Sequence, residues 1–319
     1  MKKTIRAATA QFNHKPGDKE YNLRVIEVMC RKAASEGVRI IAFPEMCVTG
    51  YWHVRKLDYG QVEALSENAL TGETARKLKA LSLELNMIIG AGIIEKGEDG
   101  KLYNSYIVTQ PDRETRFHRK LHCFISEHMA SGEEYTIIET SLGVKIGVLI
   151  CWDNNLIENG RCTALLGADI LMAPHQTGGC VSRSLRVLGK IDLRLWEERE
   201  SDPEALRREF QSVKGAGWLK RWLPARAHDN GMFVLFSNGV GRDDDEVRTG
   251  NAMIIDCFGE VLAESKEICD DLIISDLDTG LLSHATGRNW IKGRRPELYG
   301  EITKERSGRM DVRTLKAIE

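Results

Sequence analysis

Three polar side chains stand where this chain leaves a buried strand or its flank: Glu45, Lys120 and Cys151. Cys151 closes the Val- and Ile-rich run Val144 to Ile150, and Trp152-Asp153-Asn154-Asn155 follows before an apolar-periodic helix opens near Leu156. A nucleophile on a strand-to-helix turn is held out on a rigid mount, where backbone N–H groups lower a thiol pKa and receive a developing oxyanion. Glu45 directly follows Val38 to Phe43, a second run that reads as a buried strand, and open α/β folds place their chemistry outside strand ends. Lys120 ends the basic stretch Thr115 to Lys120. Attack on a carbonyl or nitrile carbon needs a nucleophile, a base for its proton and a positive donor for the charge that develops. A thiol, a carboxylate and an ammonium supply all three. Each also has an ordinary alternative, a buried structural cysteine or a solvated loop charge, and spacing alone does not bring the three together.

The elements that must position these groups are legible from periodicity. Thr4 to Phe12 reads as a first strand, and Leu23, Ile26, Met29, Cys30 and Ala33 recur at helical spacing up to Gly37. A second amphipathic helix follows Thr71-Gly72 and runs to Leu85; Met87 to Ile94 and Leu102 to Thr109 form a hairpin. Ile137 to Thr140 flanks the nucleophile strand, Leu156 to Leu166 is a helix, and Ala168 to Ala173 is another strand. Met232 to Ser237, Asn251 to Asp256, Glu260 to Glu264 and Leu272 to Asp276 complete the strands. Alternating strands and helices mixed with hairpins predict one α/β domain with a mixed sheet, or two sheets packed face to face with helices outside.

FPEMCVTGY, HRKLH and VLICWDNN, in this order, resemble the three signature blocks of the nitrilase superfamily of carbon–nitrogen hydrolases. RAATAQF, LLGADILMAP, LPARAHDNGMFVLFSN and GNAMIIDCFGEVLAE are similar to flanking strands and helices of that family, so the resemblance covers most of Thr4 to Asp278. It implies a four-layer α-β-β-α sandwich with two mixed β-sheets. It also implies a catalytic Glu45-Lys120-Cys151 triad: Glu45 the general base, Cys151 the nucleophile of a thioester or thioimidate, and Lys120 in an oxyanion hole with the Trp152 backbone N–H. A buried ammonium beside both groups would favour thiolate and carboxylate, with no metal and no cofactor required. Glu127 is the expected fourth catalytic residue, with Glu133 and Glu134 as fallbacks; Trp152, Asn154, His175 and Gln176 are expected substrate contacts. Residues 1–280 would form the hydrolase domain, with a helical insertion over about 181–222, and 281–319 a C-terminal extension at a subunit contact.

Trp152-Asp153-Asn154-Asn155 falls between nitrilase-like and amidase-like patterns, and the asparagines stand where N-carbamoyl amino acid hydrolases tend to carry arginines. The reading favours a small-molecule carboxamide substrate over a nitrile or an N-carbamoyl amino acid. Acyl transfer to an amine and a catalytically silent, ligand-binding relative are the other classes. His118, His122 and His128 crowd the lysine loop but lack any zinc-ligand spacing, and Cys47 reads as packing. The stretch from Val181 to Trp222, with Trp196, Trp218 and Trp222, reads as a lid or part of a subunit contact if it is not a solvated insertion. A formal net charge of −2 argues against nucleic acid or an anionic membrane as partner. Eight scattered cysteines without CxxC pairs, a start without an apolar signal region and the absence of bilayer-length apolar runs suggest a reducing cytoplasm. A homodimer or larger homo-oligomer is expected.

Overall fold

The computed structural model describes residues 4–182 and 186–305. The chain starts with β1 (Thr4–Phe12), α1 (Lys19–Ser35) and β2 (Ile40–Ala42), passes a 3₁₀ turn at Trp52–Lys56, and continues through α2 (Tyr59–Leu65), α3 (Glu73–Leu85), β3 (Ile88–Lys96) and β4 (Leu102–Thr109). Next come β5 (Arg116–Arg119), β6 (Met129–Ala130), β7 (Ile137–Glu139), β8 (Lys145–Val148), α4 (Ile157–Leu165) and β9 (Ile170–His175). The last third holds α5 (Leu193–Glu197), α6 (Pro203–Gln211), α7 (Ala216–Asn230) and β10 (Phe233–Asp243). It ends with β11 (Glu246–Thr249), β12 (Met253–Ile255), β13 (Val261–Glu264), β14 (Asp271–Asp278), α8 (Thr286–Lys292) and α9 (Gly300–Thr303).

These strands build two mixed sheets. One runs β5-β4-β3-β2-β1, with β14 antiparallel on the open flank of β1. The other runs β7-β8-β9-β10-β12-β13. They join where the end of β1 meets β10, pairing Gln11 with Asn238 and Phe12 with Gly239. The two-residue period of a strand explains the layering. Ile5 and Ala7 of β1 face the other sheet, packing with Ile40, Ile88, Ile146, Ile170 and Leu235. Ala8, Ala10 and Phe12 face outward, onto Ile26 and Met29 of α1 and Leu78 and Leu81 of α3. On the far side Leu171, Val234 and Phe236 meet Leu219, Leu223 and Ala227 of α7. The result is the four-layer α-β-β-α sandwich.

Not foreseen were α2, β6, β11, α8, α9 and the 3₁₀ turn over Cys151–Asn155 ahead of α4. Asp202 caps α6, accepting from the Ala205 N–H at 3.1 Å with Pro203 in the first turn. The tryptophans of the 181–222 stretch are half-buried against their own fold. Trp218 and Trp222 pack together on the α7 core with ring centres 5.5 Å apart, and Trp196 packs beside Ile191, Phe210 and Val247. Residues 183–185 of that stretch and 306–319 of the C-terminal extension lie outside the described residues. Among the described residues no helix is long and apolar enough to cross a membrane.

Candidate active site

Backbone geometry delivers each member of the triad. Past β2, the Phe43 N–H still bonds to the Gly90 carbonyl at 2.9 Å, so the chain leaves the sheet only at Pro44-Glu45. Gly92 lets that turn lie against β3, because a Cβ there would stand 2.1 Å from the Met46 nitrogen. Past β5, the Lys120 N–H bonds to the Asn104 carbonyl at 2.8 Å, which carries the lysine along β4 to the same place. Cys151 opens the 3₁₀ turn with φ +51°, in the left-handed region that non-glycine residues rarely occupy. Such local strain persists only where surrounding structure holds it.

The three side chains meet. Lys120 Nζ donates to Glu45 Oε1 at 2.7 Å, with both side chains fully buried, and Asn104 Nδ2 donates to the same oxygen at 2.7 Å. The other carboxylate oxygen, Oε2, has no hydrogen-bond partner in the protein. Burial pushes the Cys151 thiol up to about 12, and the charge of Glu45 beside it adds to that rise; Lys120 and the Gln176 backbone N–H oppose it. Burial also works to lower Lys120, but Glu45 and the cysteine sulfur outweigh it, so the ammonium is held above its ordinary value. Burial thus works against the thiolate that the neighbouring ammonium favours. Phe124 and Tyr51 wall the ammonium, with ring centres 4.6 and 5.9 Å from Nζ. Phe124 packs edge-on against Trp152 at 6.4 Å.

Asp153 went unnoticed in the sequence and locks the Cys151 turn to the lysine loop. Its buried carboxylate accepts from the N–H groups of Leu121 (3.0 Å), His122 (2.9 Å) and Ile150 (3.3 Å) and pairs with His122 Nδ1 at 2.8 Å. An amide cannot accept from all of them. Asp153→Asn is expected to lower stability by about 2 kcal/mol, read as a lower urea midpoint; an unchanged midpoint would remove Asp153 from this role. Arg226 of α7 holds the other end of the turn, donating to the carbonyls of Asn154 (2.8 Å) and Asn155 (3.1 Å). Asn104 and Arg226 also went unnoticed; a polar residue inside the apolar strand β4 was the one available signal.

The remaining candidates scatter. Trp152 is half-buried beside the nucleophile. Asn154 is buried with its amide nitrogen turned to the carbonyls of Leu149 (2.7 Å) and Cys151 (3.3 Å) and to His175 Nε2 (3.1 Å). His175 is itself buried against Phe236 and Trp222, and burial holds its pKa well below the ordinary histidine value. Gln176 donates to the Glu45 carbonyl at 2.8 Å. Glu127 is not brought to the triad. Ile125 and Met129 are buried on either side of it and anchor the turn, leaving Glu127 exposed at the tip; Glu133 and Glu134 are exposed too. His118 bonds Thr136, His122 bonds Asp153 and His128 packs on Tyr59, three different surroundings. Among the described residues no group of three or more His, Cys, Asp or Glu is placed to hold a metal ion. Cys47 is buried, and that burial pushes its thiol up to about 12.

The family model for carbon–nitrogen hydrolases matches residues 6–285. An (R)-stereoselective amidase from a Pseudomonas species is 26% identical over 307 residues, covering 95% of this chain and 96% of its own. A carbon–nitrogen hydrolase structure from Helicobacter pylori G27 superposes with a TM-score of 0.75 at 20% identity, over 95% of this chain and 99% of that one. A cysteine-to-alanine form of an amidase from Nesterenkonia sp. AN1, in complex with butyramide, superposes with a TM-score of 0.67 at 19% identity, over 93% and 96%.

Proposed function

The chain belongs to the carbon–nitrogen hydrolase family, and we propose that within it this protein hydrolyses small carboxamides through a covalent thioester on Cys151. The observation that carries the reading is the buried 2.7 Å contact of Lys120 with Glu45, set against a strained Cys151 turn. A thiol held up to about 12 needs a base at the moment of attack, and the unpartnered Oε2 of Glu45 is the oxygen free to be that base. As Sγ bonds to the amide carbon, the thiol proton passes to Glu45. The carbonyl oxygen takes the negative charge, met by Lys120 and by the Trp152 N–H, which at the start of a 3₁₀ turn has no intrahelical acceptor. Collapse breaks the C–N bond, and the amine or ammonia leaves with the proton from Glu45. Glu45 then takes a proton from water, whose oxygen attacks the thioester and releases the carboxylic acid and the thiol. The amidase relatives, one with a bound amide, support this substrate class.

A nitrile would add to the same thiol to give a thioimidate, and an N-carbamoyl substrate would follow the amide course. Acyl transfer would send an amine, not water, to the thioester. Ammonia release from mixed pools of amides, nitriles and N-carbamoyl amino acids separates these. Release is expected from the amide pool. Release from another pool alone would reassign the substrate, and no release together with an alkylation-inert Cys151 would make the protein a silent relative.

Glu127 does not enter this mechanism. Asn154 and His175 enter as supports of the nucleophile turn, and Trp152 as a pocket wall and oxyanion donor. The assembly is proposed as a homodimer or larger. Ile157 and Leu165 of α4, Leu166 just after it, and Trp290, Leu298 and Ile302 are all exposed apolar side chains, of the kind that marks association surfaces. Sedimentation at micromolar concentration would show a dimer or larger species, and a monomer would exclude it.

A further inference from the structure

We propose that His14 is a positioning residue for the reaction, holding Gln176 so that both Glu45 and Cys151 keep their places; this rests on the triad reading above. His14 follows β1 and is buried, 5% exposed. Its Nδ1 faces Gln176 Nε2 at 3.4 Å, the Tyr51 N–H donates to its Nε2 at 3.3 Å, and that Nε2 lies 3.6 Å from Asp243 Oδ1. Gln176 in turn reaches both catalytic partners. Its side-chain nitrogen donates to the Glu45 carbonyl at 2.8 Å, and its backbone N–H supports the Cys151 sulfur.

Hydrogen-bond logic fixes the orientation of the Gln176 amide. Reversing the Gln176 amide would set Oε1 against the Glu45 carbonyl oxygen, two acceptors face to face, so Nε2 must stay where it is. His14 Nδ1 faces that nitrogen, and His14 Nε2 faces the Tyr51 N–H and the Asp243 carboxylate. Asp243 is buried. Burial works to raise its pKa, yet His14 and Arg248 hold it below the ordinary carboxylate range. Arg248, also buried, lies 3.4 Å from Asp243 and 2.8 Å from Glu246. His53, on the 3₁₀ segment, is the other titratable group whose field reaches His14. A chain of contacts thus runs from the Arg248–Asp243 pair through His14 and Gln176 to the base and the nucleophile. The fit at Gln176 is close: a Cβ on Gly239 would stand 1.9 Å from Oε1.

The test compares His14→Ala and His14→Gln with the wild type; glutamine can still accept from Gln176. In His14→Ala, kcat on an amide substrate is expected to fall on the order of tenfold to a hundredfold, with KM within about twofold, and His14→Gln should recover most of the loss. A substrate-free readout separates this proposal from the amide-hydrolase reading. The pH of half-maximal iodoacetamide alkylation of Cys151, followed on its own peptide by mass spectrometry, should move by more than about half a unit in His14→Ala and return in His14→Gln. Wild-type kcat and an unmoved alkylation profile in His14→Ala would overturn the proposal. So would an equal loss in both variants that tracks a lowered melting temperature, because that is packing alone.

Discussion

Glu45→Gln should abolish most turnover and, at the same time, make Cys151 easier to alkylate. The loss follows from removing a general base, a group worth roughly 10²–10⁴-fold, since the thiol at about 12 cannot ionise unaided near neutral pH. The gain follows from the sign of the electrostatics. After burial, the largest contribution holding the thiol up is the Glu45 charge, and Lys120 opposes it. A neutral glutamine removes the first and leaves the second, so the thiolate fraction at a given pH rises. The glutamine oxygen can still accept from Lys120 and Asn104, which limits the structural damage. Ammonia release and iodoacetamide alkylation of the Cys151 peptide, measured on the same preparation at pH 8, check both halves. If alkylation slows in step with turnover, the Glu45 charge does not hold the thiol in its protonated form; unchanged turnover would remove Glu45 as the base.

The opposed effects of one substitution show which parts of this site were legible in the chain and which were not. Glu45, Lys120 and Cys151 could be read because chemistry in such folds gathers at strand ends, and strands announce themselves through apolar runs. The layers could be read for the same reason: the alternation of Ile5 and Ala7 against Ala8 and Ala10 already assigns two buried faces to β1. What holds the triad in place could not. Gln176 meets Glu45 across 131 positions of chain, His14 meets Gln176 across 162 and Arg226 meets Asn154 across 72. No periodicity encodes such contacts. Glu127 was misplaced for a related reason. The family resemblance implied a glutamate in the loop after Lys120, whereas the burial of Ile125 and Met129 among Met46, Val54 and Leu102 leaves Glu127 exposed. The ammonium was read as favouring a thiolate; the depth of burial that works against it is a property of the packed site.

Lys120→Met tests the same balance from the other side and should give the opposite response at the thiol. Losing the cation removes a group that lowers the Cys151 pKa, so alkylation is expected to slow below the wild-type rate where Glu45→Gln speeds it. Turnover should fall on the order of 10³-fold, because a donor aimed at the developing oxyanion is lost. Stability should fall as well. The Glu45 carboxylate would stay buried with Asn104 as its remaining donor, and breaking a buried ion pair by removing one partner costs about 3–5 kcal/mol. That loss could by itself silence the enzyme, so the double variant Glu45→Gln/Lys120→Met is the deciding protein. Removing both charges together takes away the unpaired carboxylate, and its urea midpoint should recover much of what Lys120→Met loses. Turnover should not recover with it. A double variant that regains stability and activity together would mean that Lys120 only neutralises Glu45. One that regains stability alone, with alkylation between the two single variants, leaves Lys120 both as the counter-charge of the base and as the donor to the oxyanion.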